Sequence, residues 1–412
     1  MKNLFKNRNF RYLWFSQIMS QITINVMNFL VIVRVYEQTH SPLASSGIWI
    51  AYALPAMLVG PIGAATVDIV DRRRILVLAT ISQSVIILLY SFTFGISLAL
   101  SYVVVFLYSL FNQFYVPAES ASLPFLVPKR DLIEANSVFF LSQQVSLLVA
   151  FVVAGVVAVT LGLQFAFIMA SILLLFACFA AFHLPKMEVT HIVFKGTLPM
   201  KVVGFLEQVL EGFRFIFKNT YIFLPFFFLL SIWTLMGILT VNLPLIGEEI
   251  VKVSPSLAGI AIVLPAAAGA LTGSTLMSRY DQKVLKRTIV QSSMLVLGLV
   301  FLVVPFVVPL LNFWAGRTLV VAAFYLAGLG YVGTLVPTLT YIQEVTPKDM
   351  TGRVLGYFWF VSSIIGILPV LFSATITQFF GISTLLILFG GIALILHLAM
   401  RFVIPRTAIK PI

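Results

Sequence analysis

Long apolar stretches recur along the whole chain, each bounded by a short polar interval. Each is close to the roughly 20 residues that carry an α-helix across a bilayer. Twelve can be placed, at 11–36, 46–68, 75–96, 99–122, 134–159 and 162–184, then at 220–245, 257–279, 287–309, 314–340, 353–377 and 380–403. The pattern predicts an all-α membrane protein. The longest polar interval, 185–219, separates a six-helix half (1–184) from a second six-helix half (220–412). Inside it Val202, Phe205, Leu206, Val209, Phe213 and Phe217 recur at helical spacing, with Glu207, Glu211, Arg214 and Lys218 between them. This predicts an amphipathic helix lying on a membrane surface; a plain tether is the alternative.

The charges follow the apolar pattern. With an even number of spans both termini share one side, and with the termini inside, all but Arg34, Lys252 and Arg317 of the 26 Lys and Arg residues fall on the cytoplasmic side. Basic residues favour that side, so the sequence predicts cytoplasmic termini in a plasma-membrane protein. The net charge of +12 is thereby explained by topology, and nucleic acid is not an expected partner. Only 10% of residues are charged, against about 25% in a soluble domain. Cys178 is the sole cysteine, which excludes an intrachain disulfide and any multi-cysteine metal site. The four histidines are far apart in sequence, so no metal or cofactor is expected. The basic polar start, Met1 to Phe10, runs straight into a span without a small-residue cleavage site, so no removable signal peptide is expected. There is no phosphate-binding loop and no nucleophile–base pair, so an enzyme is not expected.

The halves echo each other. Pro117 and then Leu126 to Asp131 follow span four, and Pro337 and then Glu344 to Met350 follow span ten. The run Val67-Asp68-Ile69-Val70-Asp71-Arg72-Arg73-Arg74, a tight charged turn after span two, has a faint counterpart in Arg279 to Lys283 after span eight. Two related six-helix halves are the mark of a transporter that rocks around a central site.

Several local sequences carry a family resemblance. They are Phe10 to Trp14, Ser20-Gln21, Tyr36 to Pro42, the Asp68 to Arg74 turn, Pro117 to Asn136, Glu211 to Ile216 and Thr351 to Gly356. Through them the chain resembles the major facilitator superfamily, and within it the branch of enterobactin and macrolide exporters. The resemblance implies twelve transmembrane helices in two pseudo-symmetric bundles. It also implies a gating latch in which Asp68, with Arg72 and Arg73, meets the start of span eleven at Gly352 and Arg353. A carboxylate at a helix N-terminus is stabilised by free N–H groups, and such a contact can break and re-form. The alternative is a topology anchor without a gating role. Two positions depart from the family pattern: Ala64 stands where a glycine is usual, and Ile69 where a basic residue is usual.

The resemblance implies that spans one, four, seven and ten line the cavity, with two, five, eight and eleven beside them. Span one carries Gln17, Ser20, Gln21, Asn25 and Asn28 on one stripe. A polar stripe on a membrane helix faces protein or water, and the cavity is the expectation here. Asn112 and Gln113 on span four, Gln143 on span five, Trp233 on span seven, and Tyr331 and Thr334 on span ten complete the candidate set. Plain interhelical hydrogen bonding is the alternative for each.

Proton coupling needs a titrating group inside the protein. The acid that the resembled branch often carries in span one is absent from Ser20 to Asn25. The glycine–proline antiporter signature of span five is absent as well. The remaining candidates are Glu119, Arg34 and Arg317. Glu119 is expected to pair with Lys129 or Arg130 at the surface, a proton relay or a site for a cationic group being the alternatives. Arg34 is expected to pair with Glu37 or to snorkel, and Arg317 to attract an anion or meet Glu248 and Glu249. The expected function is secondary export of an amphipathic small molecule by alternating access, with protons as a candidate coupling ion and a monomer as the expected state. Lipid or lysophospholipid transport is one alternative. A non-transporting membrane scaffold or sensor is the other.

Overall fold

The fold is described from a computed structural model. It covers residues 4–67, 69–128, 131–187, 216–280, 286–346 and 366–403, with Arg214, Val354, Phe358, Val361 and Ser362. Most of the 185–219 interval, including the predicted amphipathic helix up to Phe213, lies outside the described residues. The chain forms two compact units. One holds the residues up to Thr39 and from Gly47 to Glu207, and the other holds His40–Ser46 and the residues from Gln208 onward.

The first unit contains α1 (Arg8–Thr39), α2 (Pro42–Thr66), α3 (Arg72–Thr93), α4 (Ala99–Leu126), α5 (Leu132–Leu161) and α6 (Leu163–Phe182). Their ends are set by local chemistry. Asp71 caps α3 by accepting from the Arg73 N–H, which satisfies one of the orphan donors of a helix start. Gly162, at φ 88°, separates α5 from α6. α1 packs against α4, α5 and α6, and α3 against α4 and α6. Phe10, Leu13, Leu76, Tyr115 and Ala118 form the core at one end. Small residues bring α3 and α6 close. Ser84 and Ser171 face each other with hydroxyls 2.8 Å apart, and each hydroxyl also donates to the other residue's carbonyl. α2 and α4 meet at Gly63, where an added Cβ would lie 2.1 Å from the carbonyl oxygen of Gln113.

The second unit contains α7 (Thr220–Leu245), α8 (Leu264–Tyr280), α9 (Lys286–Val307) and α10 (Phe313–Val345). The last helical stretch, Ile367–Val403, is broken by the non-helical Gly381 into α11 (367–380) and α12 (382–403). Asn312 caps α10 by accepting from the Ala315 N–H at 2.9 Å. α10 packs against α7, α8 and α9, and α9 against α12. Between α7 and α8 the chain runs through a π-helical turn, Ile246–Val251, then a left-handed Lys252.

Eleven stretches among the described residues are long and apolar enough to cross a membrane. The stretch Ile367–Ala399 contains the Gly381 break, so it holds parts of two predicted spans. The first half of predicted span eleven lies largely outside the described residues. The predicted spans one and two are longer than drawn: α1 reaches Thr39 and α2 starts at Pro42, leaving only His40, itself left-handed, and Ser41 between them.

The repeat read in the sequence has a backbone counterpart. His40 and Lys252 are the two non-glycine residues with positive φ among the described residues, and each sits between the first and second helix of its unit. Gly162 and Gly381 are the two glycines with positive φ, and each sits between the fifth and sixth. α8 and α10 repeat the close crossing of α2 and α4, with a Cβ at Gly269 falling 1.8 Å from the Tyr325 carbonyl oxygen.

Candidate functional site

A cluster of buried polar groups sits inside the first unit. On α4, Tyr108, Asn112, Tyr115 and Glu119 follow at four- and three-residue spacing and so share one face. All four are buried, Glu119 being 7% exposed. The Tyr115 hydroxyl donates to Glu119 Oε1 at 3.2 Å. Across the helix interface, Ser16 Oγ on α1 lies 3.3 Å from the Tyr115 hydroxyl. Ser20, one turn further along α1, is also buried. Tyr108 Oη is buried without a hydrogen-bond partner. From α2, Tyr52 accepts from Asn112 Nδ2 at 3.3 Å, and its carbonyl accepts from Ser109 Oγ at 2.6 Å.

Glu119 therefore does not sit at the surface as expected. It makes no ion pair among the described residues, and Lys129 and Arg130 lie outside them. The helix carries it inward because it shares a face with Tyr115, whose ring is fully packed in the core of the unit. Glu344 on α10 shows the surface behaviour instead. It pairs with Lys286 at the start of α9, with Nζ 2.5 and 2.6 Å from the two carboxylate oxygens.

The two candidate arginines hold backbone. Arg34 is buried, donates to the Phe94 carbonyl and places its guanidinium 4.5 Å from the Phe94 ring centroid. It ties the end of α1 to the end of α3, and neither the expected pair with Glu37 nor a snorkelling side chain is formed. Arg317 donates to the carbonyls of Val251 and Lys252 at 3.0 and 2.6 Å and lies over Phe313. It fixes the left-handed turn after α7 rather than pairing with Glu248 or Glu249. Planar guanidinium groups suit such multiple carbonyl contacts.

The predicted cavity residues divide. Gln17 is buried and donates to the Phe139 carbonyl on α5 at 3.2 Å. Gln21 is half-buried, and Asn25, also half-buried, donates back to its carbonyl at 2.7 Å. Asn28 keeps a buried Oδ1 without a partner. Gln113 donates to the Ser109 carbonyl at 3.2 Å, beside Gly60 of α2. Gln143 is exposed. In the second unit Trp233 packs edge-on to Phe358, Thr334 donates to the Gly330 carbonyl, and Tyr331 is half-buried. Of the expected latch, Asp68, Gly352 and Arg353 lie outside the described residues. Arg72 donates to the Ala121 carbonyl at 3.1 Å, and Arg73 lies over Phe182, 4.9 Å from its centroid. The cluster brings in Ser16, Tyr52, Tyr108 and Tyr115, which sequence reasoning missed. The available signal was the four-residue step from Tyr115 to Glu119.

The sequence pattern of the Major Facilitator Superfamily matches residues 13–370. The chain belongs to this superfamily. It is 22% identical over 399 residues to the uncharacterized MFS-type transporter YfiS of Bacillus subtilis, covering 96% of this chain and 94% of that one. It is 26% identical over 149 residues to macrolide efflux protein A of Streptococcus pyogenes, covering 35% of this chain and 37% of that one. Among solved structures it is similar to a mutant form of the nucleoside transporter NupG, with TM-score 0.74 and 12% identity over 95% of this chain and 98% of that one. It is equally similar to a POT family transporter bound to 5-aminolevulinic acid, with TM-score 0.74 and 13% identity over 96% of both chains. These likenesses establish the fold of a superfamily transporter, a multi-pass membrane protein built on two helical bundles.

Proposed function

We propose that this superfamily member is an exporter of amphipathic small molecules in the plasma membrane, with both termini in the cytoplasm. The observation that carries this reading is the 149-residue stretch 26% identical to a macrolide efflux protein. The polar groups of the first unit support it. Asn25 and Gln21 on α1, and Asn112 and Gln113 on α4 with Tyr52 beside them, offer neutral amides and hydroxyls set among apolar side chains. A large, mostly apolar molecule is bound by such a wall through a few placed polar contacts. Gradient-driven alternating access supplies the cycle, since the chain carries no nucleotide-binding motif. In this reading Asp68 latches the start of span eleven when the cavity faces outward.

Everted membrane vesicles from cells producing the protein are expected to accumulate a radiolabelled macrolide when energised, and control vesicles are not. Equal accumulation in both, together with unchanged macrolide sensitivity of a deletion strain, would sink the assignment. Accumulation of a fluorescent lysolipid instead would favour the lipid reading.

A further inference from the structure

Glu119 is the one buried carboxylate among the described residues. By chain geometry it lies about 10 Å before the Leu126 end of α4, at about 1.5 Å per residue. An ionisable group held inside membrane helices is costly and is a functional site by default. Among the described residues, its surroundings are sparse in charge. α4 carries no other charged residue, and α2 and α6 carry none. On α1 the charges are Arg8 and Arg11 at the start and Arg34 and Glu37 at the far end. α5 contributes Glu134, with Asp131 at its cap, and α3 contributes Arg72, Arg73 and Arg74. Arg72 donates to the Ala121 carbonyl, two residues from Glu119, yet it forms no ion pair with Glu119. What touches the carboxyl is a hydroxyl, and that hydroxyl touches another. Beyond them, Tyr108 Oη and Gln17 Oε1 are buried polar atoms without partners, on the same two helices.

We propose that Glu119, Tyr115 and Ser16 form a proton-loading site inside the first bundle, at the α1–α4 interface. On loading, Tyr115 passes its proton to Glu119 Oε1 and receives one at the same oxygen from Ser16. Ser16 is resupplied by a hydronium ion from the aqueous side, which leaves as water. Only O–H bonds are made and broken, and the tyrosine and serine end the step neutral. Release runs the same chain in reverse. The Asn112–Tyr52 bond is adjacent to this path, so a molecule held by those groups would meet the proton site within one bundle. This last step rests on the exporter reading; the loading of Glu119 itself does not.

The loading is measured without substrate, by infrared spectroscopy of the full-length protein in lipid while pH is stepped. A protonated-carboxyl stretching band is expected to rise and fall with pH, to vanish in Glu119→Gln, and to persist at a shifted frequency in Tyr115→Phe. A titrating band unchanged in Glu119→Gln, or no titrating band beyond that variant's over the range where the protein stays folded, would overturn the site. Proteoliposomes with an entrapped pH dye then test the coupling. Adding a macrolide is expected to move protons in the native protein, and at least about 100-fold more slowly in Tyr115→Phe, the effect of losing one positioned proton-transfer group. A titrating Glu119 band without macrolide-driven proton movement supports the loading site and removes the macrolide as substrate. Macrolide transport without a titrating band does the opposite.

Discussion

The two bundles share a scaffold and differ inside it. Both turn through a left-handed residue after their first helix, at His40 and Lys252, and through a positive-φ glycine after their fifth, at Gly162 and Gly381. Both press their second and fourth helices together at a glycine. Counting from the proline of each fourth helix, Pro117 and Pro337, Glu119 corresponds to Leu339 and Tyr115 to Leu335. Those leucines pack with Trp233, Phe226, Leu229 and Phe358 in an apolar cluster. The acid of α10, Glu344, lies instead at the helix end against Lys286. Backbone geometry is thus repeated where the fold needs it, and among the described residues a buried carboxyl is placed in one copy only. The repeat accounts for how the helices pack, whereas the asymmetry sets the buried carboxyl in the first bundle.

The largest effect is expected from moving the acid across the repeat. Leu339→Glu places a carboxyl in an apolar cluster and should destabilise the protein by about 2.5–3.5 kcal/mol. Glu119→Gln keeps shape and hydrogen-bonding capacity at a site built for a polar group, and should change stability by less than about 1 kcal/mol. Thermal unfolding of purified variants in one detergent measures both. If Leu339→Glu is as mild as Glu119→Gln, the two interiors are equivalent and the comparison fails.

Next come the shared crossings. Gly63→Ala and Gly269→Ala each bring a Cβ against a backbone carbonyl, which cannot rotate away, so the helices must separate. Losses of about 1–3 kcal/mol are expected in both bundles. Gly162→Ala and Gly381→Ala meet open space, so any loss there comes from φ alone. Both sit at extended ψ with positive φ, a region nearly closed to other residues, and about 1–3 kcal/mol is expected from each. His40→Gly and Lys252→Gly, at left-handed positions, should stabilise or leave stability unchanged. Unequal effects at paired positions would show that the repeat is only topological.

The fold was legible because membrane helices write themselves as apolar runs. The break inside Ile367–Val403 was legible too, as a glycine between two apolar runs. The site was less so. The span-one stripe was visible, but a helical stripe does not say which neighbour it meets, and Gln17 proved to bind the Phe139 carbonyl. Glu119 was misplaced because nearby Lys129 and Arg130 in sequence suggested a surface pair, while the face shared with Tyr115 decided its direction. Arg34 and Arg317 were misread because backbone carbonyls, their actual partners, leave no mark in the sequence.

The smallest effect tests whether the repeat tolerates different chemistry at the same crossing. α3 meets α6 through the Ser84–Ser171 hydroxyl pair, and α9 meets α12 at Gly298 and Gly390, where a Cβ on Gly390 would lie 2.8 Å from the Gly298 carbonyl oxygen. If close approach is the main requirement, the hydroxyls add little, because packing rather than hydrogen bonding dominates helix association in lipid. Ser84→Ala and Ser171→Ala should then cost about 0.6 kcal/mol each, with a coupling of similar size in the double variant. A coupling above about 1.7 kcal/mol would exceed what paired hydroxyls deliver between membrane helices. The first bundle would then be held by polar contacts at its packing seams as well as in its interior, and the difference between the halves would extend from the proton site to the scaffold.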